Sequence, residues 1–193
     1  VIDLKTNIRA IGIDDSPFKF SDEEVMVVGN LTRAPNYLEG ILSTHVEVDG
    51  TDATDKIIDM IVNSRFSDQA KVIFTDGMAV GGFNIIELDK LFMETNIPVI
   101  SVSREEPDFE TIKIAMQGRF DDWKDRFSLV DRGDIHEVDT PHKPIYIQVE
   151  GVELEEAIRM LKLFSIRGRL PEPLRISHIV ASGIVRGESK GKP

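Results

Sequence analysis

The 193-residue chain contains no cysteine. That excludes a disulfide framework and a thiolate metal site, so any metal has to be held by carboxylates, imidazoles, carbonyls or water. Long apolar runs are missing too: no uninterrupted stretch approaches the roughly 18 residues needed to cross a bilayer. The start, Val1-Ile2-Asp3-Leu4-Lys5, does not follow the basic, apolar, small-residue order of a secretory signal. A cytoplasmic protein with no membrane association is therefore expected. Positive charge is scarce. The net charge of −11 works against nucleic acid, because affinity there comes from Lys and Arg neutralising phosphates. Residues 164–193 are the exception, with six Lys/Arg against two Asp/Glu, a segment that can touch phosphate locally or simply be a solvated tail.

What is present reads as an α/β protein. The length suits one domain, expected over 1–186, followed by a flexible tail at 187–193. Arg9 to Ser16, Glu24 to Thr32 and Gly40 to Val48 have β-type patterns and follow one another closely, which predicts a three-strand antiparallel meander. Asp52 or Thr54 can cap a helix whose Ile57, Ile58, Ile61 and Val62 share a face. The rhythm then alternates: strand Val72–Asp76, helix Asn84–Thr95, strand Val99–Ser103, helix Asp108–Gln117. This half is expected to be parallel. Residues 119–143 predict a short helix and an irregular or hairpin insert, with Trp123 and Phe127 packing that helix on the core. A strand at Ile145–Val149 and helices at Glu153–Phe164 and from Pro171 to about Val185 complete the order. A meander leading into parallel strands flanked by helices is the order of an RNase H-like mixed sheet, whereas a doubly wound sheet starts strand–helix–strand.

Chemistry is concentrated where strands end. Asp14 and Asp76 each close a strand, and Asp49 and Asp52 follow the third. Two carboxylates about 5 Å apart at an effective dielectric near 20 repel by about 3 kcal/mol, so a converging cluster needs a proton or a divalent cation. Mg²⁺ held by one or two carboxylates keeps several waters and can bind substrate phosphate. Spacing alone equally allows each Asp to cap a helix or turn the chain. Gly77 to Gly82 follows a strand but lacks both the dinucleotide and the P-loop spacing. His45, His136 and His142 lack zinc-site spacing.

Four stretches in order carry a family resemblance. They are Gly12-Ile13-Asp14-Asp15-Ser16, Asn36 to Ser43 with Tyr37 and Gly40, Thr75-Asp76-Gly77, and Leu170-Pro171-Glu172-Pro173-Leu174-Arg175 leading to His178. The chain thereby resembles endonuclease V of the RNase H-like superfamily, including an archaeal branch of its relatives. The resemblance implies metal carboxylates at Asp14 and Asp76, a late catalytic His178, a strand-separating aromatic at Tyr37, and substrate contacts at Arg104 and Arg175. Where that family has a third-strand glutamate, this chain has Val46. Glu47 comes one residue late, which parity on a strand predicts to turn away from the cluster, so Asp49 or Asp52 is expected to substitute. The family's His-Pro-Arg after Asp-Gly and its wedge prolines are absent, and Arg104 takes the place of a lysine.

The expected function is Mg²⁺- or Mn²⁺-dependent cleavage of DNA or RNA at deaminated bases such as inosine. Two alternatives remain open on sequence: a non-catalytic nucleic-acid or protein binding module, and an enzyme of a small phosphorylated metabolite.

Overall fold

Three strands, β1 (Arg9–Asp15), β2 (Glu24–Arg33) and β3 (Tyr37–Glu47), open the structure, a computed structural model that describes residues 7–189. β1 is covered on both faces, with Ile11 and Ile13 in one core and Ala10 in the other, so it lies inside the sheet. Burying one such isoleucine contributes about 1.5–3 kcal/mol, and the run of them fixes which face is which. β2 pairs antiparallel with both neighbours. The expected meander is present, with β3 starting at Tyr37, three residues before Gly40, because Tyr37 pairs with Arg33.

After α1 (Ala53–Val62) come β4 (Ala70–Asp76), a small hairpin of β5 (Ala79–Val80) and β6 (Asn84–Ile85), α2 (Leu88–Thr95) and β7 (Val99–Ser103). The chain finishes with α3 (Phe109–Gln117), α4 (Trp123–Val130), β8 (His136–Val138), β9 (Ile145–Glu150), α5 (Leu154–Phe164) and α6 (Glu172–Arg186). The main sheet has the order β3-β2-β1-β4-β7-β9-β8. β1 with β4 and β4 with β7 are parallel. Helices α1 and α2 cover one face through Ile57, Ile61 and Leu91, and α5 and α6 cover the other through Met160, Phe164 and Leu174. Trp123 and Phe127 on α4 pack with Met116 and Ile85 in a third, smaller cluster, as the sequence predicted. Of the tail expected at 187–193, residues 190–193 lie outside the described residues. Among the described residues no helix is long and apolar enough to cross a membrane.

The expected parallel strands are β4 and β7; beyond them, β9 is antiparallel to both β7 and β8. The crossover through α3 and α4 delivers β8 in the direction of β7, and the following hairpin inserts β9 between them, which reverses it. The helix predicted from Asn84 begins only at Leu88. Gly81 (φ 58°) and Gly82 (φ 90°) close a turn that sends Asn84–Ile85 back along Ala79–Val80. Asn84 then acts at a distance: its Oδ1 accepts the Ala53 N–H at 2.9 Å and so caps α1. Asp52 stands at the N-cap but makes no side-chain cap bond.

The placement of α6 matters most for the site. Its first turn lies so close to β1 that a Cβ on Gly12 would collide with the backbone carbonyl of Pro173. Buried Asn30 donates through Nδ2 to the Pro173 carbonyl at 2.6 Å and to Ser177 Oγ at 2.8 Å. The Ser177 hydroxyl donates to the Gly12 carbonyl at 2.8 Å. These bonds are fully enclosed, and orphaning one partner costs about 1–3 kcal/mol, so the helix is registered against the strand to the residue.

Candidate active site

Ile13 pairs with Thr75 across parallel strands, so the next residues, Asp14 and Asp76, stand level on neighbours about 4.8 Å apart. Both lie on the sheet face that α6 covers. The registration of α6 brings His178 there, with Nδ1 3.0 Å from Asp14 Oδ2. Because a carboxylate can only accept, Nδ1 carries the proton in this contact. The Asp14 hydrogen bond, and after it the negative charges of Asp14 and Asp76, push the His178 pKa up and favour the imidazolium, against burial and the positive charge of Arg104. His178 Nε2 is buried and has no hydrogen-bond partner.

Asp76 faces Arg104, with Nη1–Oδ1 at 3.3 Å and Nη2–Oδ2 at 3.2 Å. Even so, burial first and the Asp14 charge second push Asp76 up from 3.8 to about 6, with Arg104 and His178 pulling the other way. Asp15 had no role in the sequence reading, yet it belongs to this centre. Burial raises it from 3.8 to about 6, the charges of Asp14 and Asp76 add to that, and the Gly81 N–H, donating to Oδ2 at 2.6 Å, works against it. The Asp15 N–H in turn donates to Asp14 Oδ1 at 2.9 Å. The doublet Asp14-Asp15 was itself the available signal.

Asp49 and Asp52 do not join the cluster. Asp49 accepts the Phe83 N–H on Oδ1 at 2.9 Å and pairs with Arg119 through Oδ2 at 2.5 Å. Asp52 Oδ1 accepts from the Glu47 N–H at 3.1 Å and from Asn84 Nδ2 at 2.7 Å. The parity argument for Glu47 also fails in its detail. Asp14 pairs with Val28 and Val28 with Ser43, so Ser43 and Glu47, four residues apart, share the face of Asp14. Distance along the strand, about 13 Å from Ser43, removes Glu47, while Val46 is buried in the opposite core. Tyr37 is level with Arg33 and Arg9, at the far end of β1 and about 17 Å from Asp14 along it. The Arg33 guanidinium lies over its ring at 4.8 Å. Arg175 is held by buried Glu172 at 2.6 Å.

The donors at the centre are hard carboxylate oxygens, which suit a hard divalent ion that keeps several of its waters. No group of three acid or histidine side chains forms a ready cage among the described residues. Mg²⁺ needs only one or two carboxylates from protein, so the residues present fit it.

The profile of a family described as Endonuclease dU matches residues 6–185. The chain belongs to that family. A UPF0215 protein of Methanothermobacter thermautotrophicus is 45% identical over 190 residues, covering 97% of this chain and 93% of that one. The crystal structure of a protein of unknown function from Archaeoglobus fulgidus superposes with a TM-score of 0.84 at 42% identity, over 92% of this chain and 98% of that one. Endonuclease V of Ciona intestinalis, solved with a DNA containing inosine, superposes with a TM-score of 0.64 at 15% identity, over 95% of this chain and 88% of that one. The fold is thus that of endonuclease V, an RNase H-like mixed sheet with helices on both faces.

Proposed function

We propose that this member of the Endonuclease dU family is a cytoplasmic, divalent-metal-dependent endonuclease that hydrolyses phosphodiester bonds of DNA or RNA at deaminated bases. The observation that carries the reading is the crowding of Asp14, Asp15 and Asp76 beside His178, a buried negative site that a cation relieves. The family description points to deoxyuridine, and inosine in the Ciona complex is a base of the same deaminated class. Asp14 and Asp76 would hold Mg²⁺ or Mn²⁺, with Asp15 adding charge behind them. When bound, such an ion lowers the pKa of a coordinated water and neutralises charge developing on phosphate oxygens. Asp14 fixes the His178 ring through Nδ1, leaving Nε2 to hold a water or a phosphate oxygen. Arg104, moving off Asp76, meets the phosphate that replaces the carboxylate as its partner. An apolar pocket of about 250 Å³, lined by Met78, Phe83, Ile85, Ile112 and Met116 with Ser103 at one side, lies next to Asp76 along the chain and can take a base out of the stack.

A second reading has one observation in its favour. Arg104 occupies Asp76 in a two-point contact, as expected of a relative that binds nucleic acid or protein without cutting. Oligonucleotides carrying deoxyuridine, deoxyinosine or neither, incubated with and without Mn²⁺, separate the two. Cleavage is expected only with a modified base and metal, falling about 10²- to 10³-fold in Asp14→Asn and Asp76→Asn. No cleavage with metal, or cleavage unchanged in Asp76→Asn, rules out the nuclease.

A further inference from the structure

An exposed aromatic residue lies a short way along the chain from Asp14, and the proposed chemistry gives it no task. Phe20 is 62% exposed, although it lies only six residues after Asp14. Its exposure is built. The Asp22 N–H donates to the Lys19 carbonyl at 2.9 Å and the Lys19 N–H donates to Asp22 Oδ2 at 2.8 Å, closing a turn with Phe20 and Ser21 at its centre. The ring is also braced. Phe18 meets it edge to face at 5.4 Å, and the Arg119 guanidinium lies over it at 4.3 Å. Arg119 is tied to Asp49, the Asp49 N–H donates to the Gly81 carbonyl at 2.7 Å, and the Gly81 N–H donates to Asp15. A continuous set of contacts thus holds Phe20 in a fixed relation to the acids. The ring also rests on Gly82, where an added Cβ would come within 3.2 Å of it, and Gly82 lines the apolar pocket.

We propose that Phe20, backed by Arg119, is a stacking platform for an unpaired nucleobase at the mouth of that pocket. This rests on the nucleic-acid reading above. The contacts of Phe20 hold the ring in place while most of it stays in water, and a nucleobase, which offers a flat π-face whatever the sequence, is suited to cover it. Tyr37, the residue that the family resemblance points to, is exposed to a similar extent, 60%, but it stands at the other end of β1. Arg119, already neutralised by Asp49, braces the ring, and phosphate contact falls to other cations.

The test is a variant with a reporter on the platform, Phe20→Trp in a Trp123→Phe background, titrated with a short single-stranded oligonucleotide in EDTA so that nothing is cut. Stacking is expected to quench the new tryptophan about twofold and saturably, while Phe20→Ala weakens binding by anisotropy roughly five- to hundredfold and Phe20→Trp restores it. Thermal melts confirm that both variants fold. Binding by anisotropy with no quench, or wild-type affinity in Phe20→Ala, overturns the platform and leaves the nuclease reading standing. If the wild-type chain binds no oligonucleotide, single-stranded or deoxyuridine-containing duplex, either in EDTA or with Ca²⁺ in place of Mg²⁺, both fall together.

Discussion

Asp14, Asp15 and Asp76 crowd one another at the end of two parallel strands, whereas Asp49 and Asp52, which follow the next antiparallel strand but one, are turned apart to separate partners. In the first group burial and mutual repulsion hold two carboxyls up to about 6. In the second, a guanidinium and an amide N–H take Asp49, and a backbone N–H and an asparagine amide take Asp52. Both groups look alike as letters in a sequence. The difference is that Asp49 and Asp52 are satisfied by partners within the fold, whereas the crowded group keeps a repulsion that burial sharpens.

The comparison can be broken most severely at Gly12, which seats the helix that carries His178. Gly12→Ala pushes the first turn of α6 off β1, with an expected stability loss of about 3 kcal/mol in urea unfolding. The NMR titration of His178 is expected to fall back toward the ordinary histidine range as its contact with Asp14 loosens. An unshifted His178 in a folded variant would show that α6 is not what positions it.

A smaller effect of opposite sign is expected at Asp15. Its pKa is raised in the fold, so its contribution favours folding fully below pH 4 and is lost as pH rises through about 6. Asp15→Asn has no such loss. It is therefore expected to match the parent near pH 4 and to exceed it at pH 7.5, by on the order of 2 kcal/mol without added metal. Equal stability of the two proteins at pH 7.5 would mean that the crowding is not felt. The smallest change is expected at Asp52, where Asp52→Ala removes two accepted hydrogen bonds and costs roughly 1–2 kcal/mol in urea unfolding at neutral pH. Loss of Mn²⁺ binding in this variant, measured by calorimetry, would place Asp52 back among the metal ligands.

That Asp14, Asp76 and His178 come together is legible in the sequence, because each ends or follows a short motif whose neighbours are dictated by backbone geometry: the glycine two before Asp14 admits α6, and the Pro-Glu-Pro start of that helix sets where His178 falls. The order of strands was equally clear from alternation. Direction was not, since the late hairpin that reverses β9 depends on the sheet edge it inserts into, which no local pattern records. Asp15 was passed over for a similar reason. Alternation puts adjacent residues on opposite faces, but at the last position of a strand the carboxylate still lies within the field of its neighbours. Asp49 and Asp52 were misjudged because their satisfaction comes from Arg119 and Asn84, far along the chain.

The bonds that seat α6 on β1 and β2 join residues 143 to 165 positions apart. As the chain is synthesised, the meander and most of the sheet can form with the acids already together but without the imidazole and its helix. Pairing between sequence-distant parts is slow and comes late. A nascent chain on the ribosome therefore carries the acids long before it carries His178, and the cluster is completed only once α6 has emerged.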